Sequence, residues 1–309
     1  MSLLYAAGGA ILLILAGDAL VRGAIALALR LGLSVALIGL TVVAFGTSAP
    51  ELVISVQAAL EGAPDIALGN VVGSNVANVL LVLGAPALLA PIVTRNVEGG
   101  LRNYLFMLGA SVLLLVLAWT GVVGRLAALL MLALMAGFMV DAWKRTDGTE
   151  SHLDPNDATT PLGVDAALIL FGLVGLPVGA HFLIVGAQEI ALSLGISEAA
   201  IGLTLVALGT SLPELATSLA AAWRGRMEVA LGNVIGSNLF NILLILGITA
   251  MVTPVPVSRG FVALDIPIML GAALLLFPYL ATGRAIGRRS GLLFVALYVL
   301  FAIAVVAGN

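Results

Sequence analysis

The sequence predicts an all-α polytopic membrane protein with ten transmembrane helices, arranged as two inverted five-helix repeats. Three observations predict this fold class. Of the 309 residues, 61% are hydrophobic and only 9% are charged, whereas soluble domains contain about 25% charged residues. The apolar stretches show no strand-like alternation, which favours helices over a barrel. A polar segment of the first half recurs in the second half.

Ten apolar segments are long enough to cross a bilayer. We expect them at about 3–28, 36–60, 66–90, 101–120, 122–142, 164–193, 199–222, 229–252, 261–282 and 290–307. Glycine, proline and charged residues separate them, as in the stretch 61–65 after the second segment. The first segment has no basic region before it, so we expect a retained span rather than a cleaved signal.

The longest polar stretch divides the chain. It runs from Lys144 to Pro161, and its Thr, Pro, Gly and acidic residues are typical of a solvated linker rather than of a cation site. We therefore predict a first five-helix repeat over 1–143, a cytoplasmic linker over 144–163 and a second repeat over 164–309.

The basic residues predict the orientation. With ten spans, 11 of the 13 Lys and Arg residues fall in loops or at span ends on one side of the membrane. The positive-inside rule makes that side cytoplasmic, and it places both termini outside the cytoplasm. Five spans per repeat is an odd number, so the second repeat enters the membrane from the opposite side, as in many secondary transporters. We expect a multi-pass protein of the inner (plasma) membrane.

Two stretches separated by a constant offset of 163 residues carry the strongest functional signal. The first, 39–84, contains G-L-T-V-V-A-F-G-T-S-A-P-E-L and G-N-V-V-G-S-N-V-A-N. The second, 202–247, contains G-L-T-L-V-A-L-G-T-S-L-P-E-L and G-N-V-I-G-S-N-L-F-N. Small residues alone would indicate helix packing, but packing does not require a duplicated carboxylate in an apolar span. The duplication therefore predicts a two-fold polar site.

The polar side chains of each stretch share helix faces. Glu51 and Glu214 lie near the middle of their spans, where a carboxylate costs about 3 kcal/mol to insert. Thr47 is one turn before Glu51, and Asn78 ends a polar face of the next span; the second repeat has the same spacing, ending at Asn241. The proline before each glutamate also removes one helical N–H and frees a backbone carbonyl.

Together these groups offer carboxylate, hydroxyl, amide and carbonyl oxygens, and the chain contains no cysteine. Hard oxygen ligands suit Ca²⁺ and Na⁺ rather than Zn²⁺ or Cu²⁺. Two carboxylates balance one divalent cation. At an assumed separation of ~5 Å and an effective dielectric of ~20, the two negative charges repel each other by about 3 kcal/mol. The site should therefore be easier to move loaded than empty, which is the physical basis of exchange.

These motifs resemble the alpha-repeats of the Ca²⁺/cation antiporter superfamily, and they are most similar to those of the prokaryotic Na⁺/Ca²⁺ exchangers. The resemblance covers both repeats and the ten-span layout. It implies a secondary antiporter that exchanges Ca²⁺ for Na⁺ by alternating access, with an ion site at the midplane between the repeats. It also implies that spans one and six slide as a pair across the other eight.

The resemblance also implies the ion ligands. Those for Ca²⁺ would be the carboxylates of Glu51 and Glu214, the backbone carbonyls of Thr47 and Thr210, and the amides of Asn78 and Asn241. Those of the flanking Na⁺ sites would be Ser48, Ser74, Ser211, Ser237 and the carbonyls of Ala44 and Ala207.

One departure from the family pattern concerns the driving ion. Related exchangers often carry an aspartate at one of the two final positions, whereas Asn78 and Asn241 are both amides. A Ca²⁺/H⁺ antiporter is therefore the alternative. The Gly-Ser-Asn sequence differs from the motif usual in the proton-coupled branch, and the hydroxyl-rich flanks suit monovalent cations such as Na⁺.

An intramembrane hydrolase is a more distant alternative. It would need a nucleophile beside a base, or a histidine-bearing metal site, and the chain has only His152 and His181. We therefore expect no enzyme activity and no cofactor. The expected partners are the lipid bilayer and the transported ions, without nucleic acid, and the protein is expected to function as a monomer.

Two charged positions in the first spans of the repeats also carry predictions. Asp18 and Arg22 are one helical turn apart, so we predict an ion pair between them. The offset of 163 places His181 at the position equivalent to Asp18, and we expect a hydrogen-bonded interior histidine there rather than a metal ligand.

Overall fold

The computed structural model is a bundle of helices. It describes residues 1–95, 97, 99–145, 161–194 and 209–307. The helices are α1 (Ser2–Leu31), α2 (Val35–Thr47), α3 (Ala49–Leu60), α4 (Pro64–Leu89), α5 (Gly100–Ala118), α6 (Arg125–Lys144), α7 (Leu162–Ser193), α8 (Leu212–Trp223), α9 (Met227–Val252), α10 (Phe261–Thr282) and α11 (Arg288–Ala307).

Within the described residues, eight helices are each long and apolar enough to cross a membrane, and α2 with α3 makes a bent ninth candidate. The span predicted at 199–222 is described only from residue 209, and α8 forms its second part. The prediction of an all-helical polytopic membrane protein is confirmed, and the count of ten spans stays a prediction.

The predicted linker lies between α6 and α7. Helix α6 ends at Lys144 and α7 begins at Leu162. Residues 146–160 lie outside the described part of the chain. The division into repeats over 1–143 and 164–309, with a cytoplasmic linker over 144–163, therefore stays a prediction.

The span predicted as continuous over 36–60 is instead two helices that meet at Ser48 with a bend of 44°. Pro50 stands in the first turn of α3, where it cannot donate the hydrogen bond that would continue α2 straight into α3. Ser211 precedes α8 with nearly the same backbone angles as Ser48, and Pro213 follows it. The same local backbone conformation thus precedes the glutamate-bearing helix in both repeats.

Helices α4 and α9 each contain a π-helical stretch near the middle. These stretches cover Asn78–Val82 in α4 and Phe240–Ile245 in α9. The duplicated amides Asn78 and Asn241 lie at their beginnings. π turns occur often at functional sites, so their presence beside Asn78 and Asn241 in both repeats indicates a functional region near the middle of α4 and α9. The spacing of the motifs did not predict these π turns.

Helices α1 and α7 approach each other closely along their lengths. Gly9 of α1 lies against the backbone of Leu183, and Gly172 of α7 lies against Leu20; a Cβ atom on either glycine would overlap the opposite helix. Adding 163 to Gly9 and Leu20 gives Gly172 and Leu183. The two contacts are therefore copies of each other, related by the same offset as the polar motifs.

The order of these contacts shows that α1 and α7 run antiparallel. Gly9 of α1 faces residues 179–183 of α7, residues 16–20 face Gly172, and Gly23 faces residues 165–169. Residue numbers therefore rise along α1 as they fall along α7. The first helices of the two repeats therefore point in opposite directions. This arrangement agrees with the predicted inversion of the repeats.

Short backbone pairings join loops that the predicted topology places on the same side of the membrane. Strand β1 (Val122–Val123) pairs antiparallel with β2 (Val255–Pro256), which joins the loops after α5 and α9. For this reason α6 begins at Arg125 and not at the predicted residue 122. On the other side, Ile92 bridges Ile286 and joins the loops after α4 and α10.

The helices with duplicated polar residues are the most enclosed. The most apolar window is 72% buried in α4 and 83% buried in α9, compared with 11% in α11. Helices α4 and α9 therefore form the centre of the bundle, and α11 presents most of its surface to the outside. The polar faces are consequently shielded from lipid.

The ion pair predicted between Asp18 and Arg22 is wrong. The carboxylate of Asp18 instead accepts a hydrogen bond of 2.5 Å from Arg224, because α1 packs along α8 and brings Asp18 to the residue that follows that helix. The interior position predicted for His181 is also wrong. This side chain is exposed on α7, beside Phe182.

Candidate functional site

Two carboxylates from different halves of the chain meet inside the bundle. Glu51 lies in the first turn of α3 and Glu214 in the first turn of α8, each only 1% exposed. Ser48, three residues before Glu51, donates to Glu214 Oε1 at 3.1 Å, so both carboxylates belong to one buried region. The break before each helix places its carboxylate at a helix N-terminus, where the helix dipole favours negative charge.

Equivalent amides hold the two helices that carry the carboxylates. Asn70 Nδ2 donates to the backbone carbonyl of Glu51 at 3.2 Å, and Asn233 Nδ2 donates to that of Glu214 at 3.5 Å. Each amide also donates to a serine one turn further along the same helix. Asn233 Oδ1 accepts a further hydrogen bond from Thr47 at 3.3 Å. These amides were not predicted as site residues, although their duplication in Gly-Asn was a signal for them.

Hydroxyl groups connect the two repeats directly. Ser48 Oγ donates to Glu214 Oε1 at 3.1 Å. Ser74 Oγ lies 3.5 Å from Thr210 Oγ1. Both contacts join a residue of the first repeat to one of the second, so the polar groups that are far apart in sequence line one common interior region.

The central amides lie deeper in α4 and α9. Asn78 is 1% exposed and Asn241 is fully buried. Asn241 Nδ2 donates to Asn75 Oδ1 at 3.1 Å, and Asn75 Nδ2 donates to Met269 Sδ at 3.5 Å. Asn75 was missed by the sequence prediction, and its only signal was its place in the duplicated Gly-Ser-Asn.

Several buried polar atoms in this region have no hydrogen-bond partner within the described part of the chain. They are both carboxylate oxygens of Glu51, Oε2 of Glu214, the hydroxyls of Ser211 and Ser237, both amide atoms of Asn78 and Oδ1 of Asn241. Most buried polar groups in proteins are hydrogen-bonded, and an unpaired buried charge is strongly unfavourable. Oxygens grouped in this way fit a cation such as Ca²⁺, which takes six to eight oxygen ligands.

Eleven of the twelve predicted site residues lie in the described part of the chain, and Ala207 lies outside it. Ten of the eleven are buried, and Thr210 is half-buried. The carbonyl of Ala44 accepts hydrogen bonds from the Ser48 N–H and the Thr47 hydroxyl. Coordination of an ion by each of these residues stays a prediction.

The two halves of the site are not identical. Ser48 donates to Glu214, whereas neither the hydroxyl of Ser211 nor the carboxylate of Glu51, its duplicated partner, has a hydrogen bond in the described chain. The helix packing is also unequal between equivalent pairs: α1 packs along α8, whereas α7, the equivalent of α1, barely contacts α3, the equivalent of α8. The two repeats therefore make different contacts in this structure, although their motifs are equivalent.

The described residues contain no group of three or more His, Cys, Asp or Glu side chains that would hold a metal ion by themselves. The site instead combines two carboxylates with hydroxyl and amide oxygens from both repeats. The fold and the site together define a polytopic helical membrane protein with a buried, oxygen-lined polar site to which both repeats contribute.

The chain belongs to the sodium/calcium exchanger protein family, whose sequence profile matches residues 1–144 and 164–307. It is 32% identical to the sodium/calcium exchanger MaX1 of Methanosarcina acetivorans, over 95% of each chain. It is 36% identical to the putative antiporter CaxA of Alkalimonas amylolytica, over 94% of each chain. The fold matches the solved sodium-calcium exchanger NCX_Mj with a TM-score of 0.83 and 35% identity, covering 98% of this chain and 97% of that one. The resemblance to the prokaryotic exchangers is confirmed.

Proposed function

We propose that this protein is a secondary antiporter that exchanges Ca²⁺ for Na⁺ across the membrane by alternating access. The observation that carries the proposal is the meeting of Glu51 and Glu214 at one buried place, among oxygen atoms that lack hydrogen-bond partners in the described chain. The similarity to a sodium/calcium exchanger over nearly the whole length supports the choice of ions. Because the relatives are exchangers and the half-sites are chemically equivalent, we do not propose a hydrolase.

Ca²⁺ is the substrate that balances the two carboxylates. Glu51 and Glu214 would neutralise its charge, and the carbonyls of Thr47 and Thr210 with the amides of Asn78 and Asn241 would supply neutral oxygens. Two buried carboxylates at ~5 Å, with an effective dielectric of ~20, repel each other by about 3 kcal/mol. That repulsion makes the empty site unfavourable to move through the membrane, so each crossing requires bound cations.

Na⁺ would replace Ca²⁺ at flanking positions. The proposed ligands are Ser48, Ser74, Ser211, Ser237 and the backbone carbonyls of Ala44 and Ala207. Of these, the hydroxyls of Ser211 and Ser237 are buried and unpartnered in the described chain. Two or more monovalent cations can balance the same two carboxylates, which makes Na⁺ and Ca²⁺ alternative occupants of one site.

The moving part would be the pair of helices α1 and α7. Their reciprocal glycine contacts join them along their lengths, and Arg30 of α1 donates to Asp165 of α7 at 2.6 Å. Asp165 is only 1% exposed, so separating the helices would leave a buried carboxylate without this partner. The pair is therefore expected to slide as one body across the other helices and to open the site to each side in turn.

We further propose the inner (plasma) membrane as the location, with both termini outside the cytoplasm, the 144–163 linker inside, and a monomer as the functional unit. The distribution of Lys and Arg supports the orientation. The two loop pairings support the layout of the spans, because each joins loops that this topology places on one side of the membrane.

The driving ion is tested in proteoliposomes. At constant pH, an outward Na⁺ gradient should drive ⁴⁵Ca²⁺ uptake by the wild-type protein. Uptake that follows a pH gradient and ignores Na⁺ would overturn Na⁺ coupling and support the second candidate, a Ca²⁺/H⁺ antiporter. The observation that favours the second candidate is the amide at both Asn78 and Asn241, which leaves the site with two carboxylates.

A further inference from the structure

A chain of hydrogen bonds ends at the central amide of α9. Asn241 Nδ2 donates to Asn75 Oδ1 at 3.1 Å, and Asn75 Nδ2 donates to Met269 Sδ at 3.5 Å. All three side chains are at most 2% exposed. The chain therefore runs from α10 through α4 to α9, entirely inside the bundle.

The chemistry of Met269 fixes the direction of this chain. A thioether sulfur accepts hydrogen bonds weakly and cannot donate, so Asn75 turns its NH₂ group towards Met269 and its Oδ1 towards Asn241. Asn241 must then turn its own NH₂ group towards Asn75. This leaves Asn241 Oδ1 directed elsewhere, buried and without a hydrogen-bond partner in the described chain.

We propose that Asn75, supported by Met269, is a positioning residue that presents Asn241 Oδ1 to the transported cation as a neutral ligand. The inference rests on the proposed function. It adds that Asn75 favours a neutral amide over a carboxylate at position 241. An aspartate at 241 would set a carboxylate oxygen against Asn75 Oδ1. To avoid this, Asn75 would have to turn its carbonyl towards a sulfur that cannot donate, and a buried acceptor would be left unsatisfied.

The equivalent amide in α4 is not held in this way. Both amide atoms of Asn78 and the Oδ1 of Asn238, the counterpart of Asn75, lack hydrogen-bond partners in the described part of the chain. Asn238 Nδ2 donates to the backbone carbonyl of Val234. An acidic substitution should therefore be accepted more readily at 78 than at 241.

The test measures ⁴⁵Ca²⁺ binding to the purified full-length protein. Asn75→Ala should raise the Kd about tenfold, because Asn241 loses the partner that orients it. Met269→Leu preserves volume and should raise the Kd about threefold. The matched control is Thr249→Ala in α9, whose buried hydroxyl donates to the carbonyl of Ile245; its Kd should change less than about twofold.

A double-mutant cycle separates positioning from a general structural effect. If Asn75 acts through Asn241, adding Asn75→Ala to Asn241→Ala should change the Kd less than about twofold. A full tenfold loss in that background, or an unchanged Kd for Asn75→Ala alone, would overturn the assignment. If Asn75→Ala does not fold, Met269→Leu replaces it in the cycle; a full threefold loss in the Asn241→Ala background, or an unchanged Kd for Met269→Leu alone, would then overturn the assignment. Wild-type protein that binds no Ca²⁺ would overturn the proposed function itself, which is a distinct result.

A second inference starts from the ion pair that joins α1 to the end of α8. Asp18 pairs with Arg224 at 2.5 Å where α1 packs along α8. By the offset of 163, the position equivalent to Asp18 is His181 and the position equivalent to Arg224 is Glu61. At the equivalent place in the other half, the acidic and the basic residue have therefore exchanged positions.

The members of the second pair have other neighbours in this structure. Glu61 accepts a hydrogen bond from Gln57 at 2.8 Å, and His181 lies exposed beside Phe182. Helix α7, which carries His181, barely contacts α3. The equivalence of these positions is supported by the glycine contacts of α1 and α7, which repeat with the same offset.

We propose that Asp18–Arg224 and Glu61–His181 are two ion pairs that form alternately, one near each side of the membrane; we call them latches because each would hold one position of the α1–α7 pair. The first is formed where α1 packs along α8. The second forms when the α1–α7 pair slides so that α7 packs along α3. This inference rests on the proposed alternating access, and the predicted topology places Arg224 on the cytoplasmic side and Glu61 on the opposite side.

Paired cysteines test the latches, because the native chain contains no cysteine. Asp18→Cys/Arg224→Cys and Glu61→Cys/His181→Cys are treated in membranes with a short bis-maleimide, in Na⁺ and in Ca²⁺, and the cross-linked peptides are measured by mass spectrometry. Each pair should cross-link, and the condition that increases one product should decrease the other by about threefold or more.

Absence of the Glu61–His181 product under both conditions, or a parallel rise of both products, would overturn the latches. Should the cysteine variants fail to fold, charge reversal replaces them. Asp18→Arg alone should slow Ca²⁺ exchange, and Asp18→Arg with Arg224→Asp should restore it; a double variant as slow as the single one would also overturn the proposal. Cross-linking detects the movement of α1 and α7 whether Na⁺ or H⁺ drives Ca²⁺ transport. A negative cross-linking result is therefore distinct from a result that excludes Na⁺ coupling.

Discussion

At the scale of single residues, the energetics of buried charge dominate. Both carboxylate oxygens of Glu51 are buried without a hydrogen-bond partner in the described chain, and only one oxygen of Glu214 has such a partner, Ser48. Buried carboxylates without a counter-charge are strongly unfavourable. In the proposed antiporter the transported cation supplies that counter-charge, so ion binding and protein stability are linked.

Replacement of either glutamate by glutamine should separate these two effects. Glu51→Gln or Glu214→Gln should lower Ca²⁺ transport by about 100-fold or more, because Ca²⁺ would face a single carboxylate. The ion-free variants should nevertheless unfold at the same or a higher temperature than the wild type, and should lose the stabilisation by Ca²⁺. Thermal unfolding with and without Ca²⁺, and ⁴⁵Ca²⁺ uptake into vesicles, measure both. Near-native uptake by either variant would show that the site has been assigned wrongly.

The hydroxyl of Ser237 allows a more selective change. It is fully buried and unpartnered in the described chain, so Ser237→Ala removes no intramolecular hydrogen bond. We expect the Na⁺ concentration for half-maximal exchange to rise about threefold to tenfold, with little change in Ca²⁺ affinity or unfolding temperature. The control is Ser111→Ala, a buried serine whose hydroxyl donates to the carbonyl of Met107. A Na⁺ dependence identical to wild type would exclude Ser237 as a Na⁺ ligand.

At the scale of helices, close backbone approach joins α1 and α7, the pair proposed to move as one body. Gly9 and Gly172 allow α1 and α7 to pack closer than side chains would permit. The glycines of the sequence predicted close packing in general. They did not predict which helix each one faces, since small residues are compatible with any neighbour.

Adjacent glycines of α1 provide a matched test of this contact. A Cβ atom at Gly9 would overlap α7, whereas one at Gly8 would meet open space. We expect Gly9→Ala to destabilise the protein by about 1–3 kcal/mol. Gly8→Ala should be neutral, or stabilising by up to about 1 kcal/mol. Thermal unfolding in detergent, read together with exchange rates, distinguishes the two; equal effects would mean that the close contact does not exist in the functional protein.

At the scale of the whole molecule, the orientation predicted from the charges in the loops can be tested by labelling. Ser258 lies in the loop after α9 and Ala285 in the loop after α10, and both are exposed. In intact cells, a membrane-impermeant maleimide should label Ser258→Cys and should label Ala285→Cys only after permeabilisation. The cysteine-free wild type is the control. The reverse pattern would invert the topology.

Much of the site was predictable because the duplication is visible in the sequence. Glu51 and Glu214 could be identified from the duplication and its spacing, and the resemblance to the exchangers added the serines as ligands. The structure places ten of the predicted residues in the interior. Asn75 and Asn233 were missed, since their roles depend on which side chain of another helix they contact. Pro50 indicated that a helical hydrogen bond would be missing near Ser48, but the bend angle of 44° depends on how the helices pack.

A helical membrane protein with a repeated acidic motif can be recognised without coordinates, because composition and duplication are properties of the amino-acid sequence. Which of the equivalent groups are in contact depends on helix packing. Asp18 pairs with Arg224 and not with Arg22, and Ser48 contacts Glu214 while the Ser211 hydroxyl has no hydrogen bond in the described chain. Two similar repeats that pack asymmetrically in one conformation cannot both make the same contacts, because α1 packs along α8 whereas α7 barely contacts α3. That choice is a property of how the helices are packed.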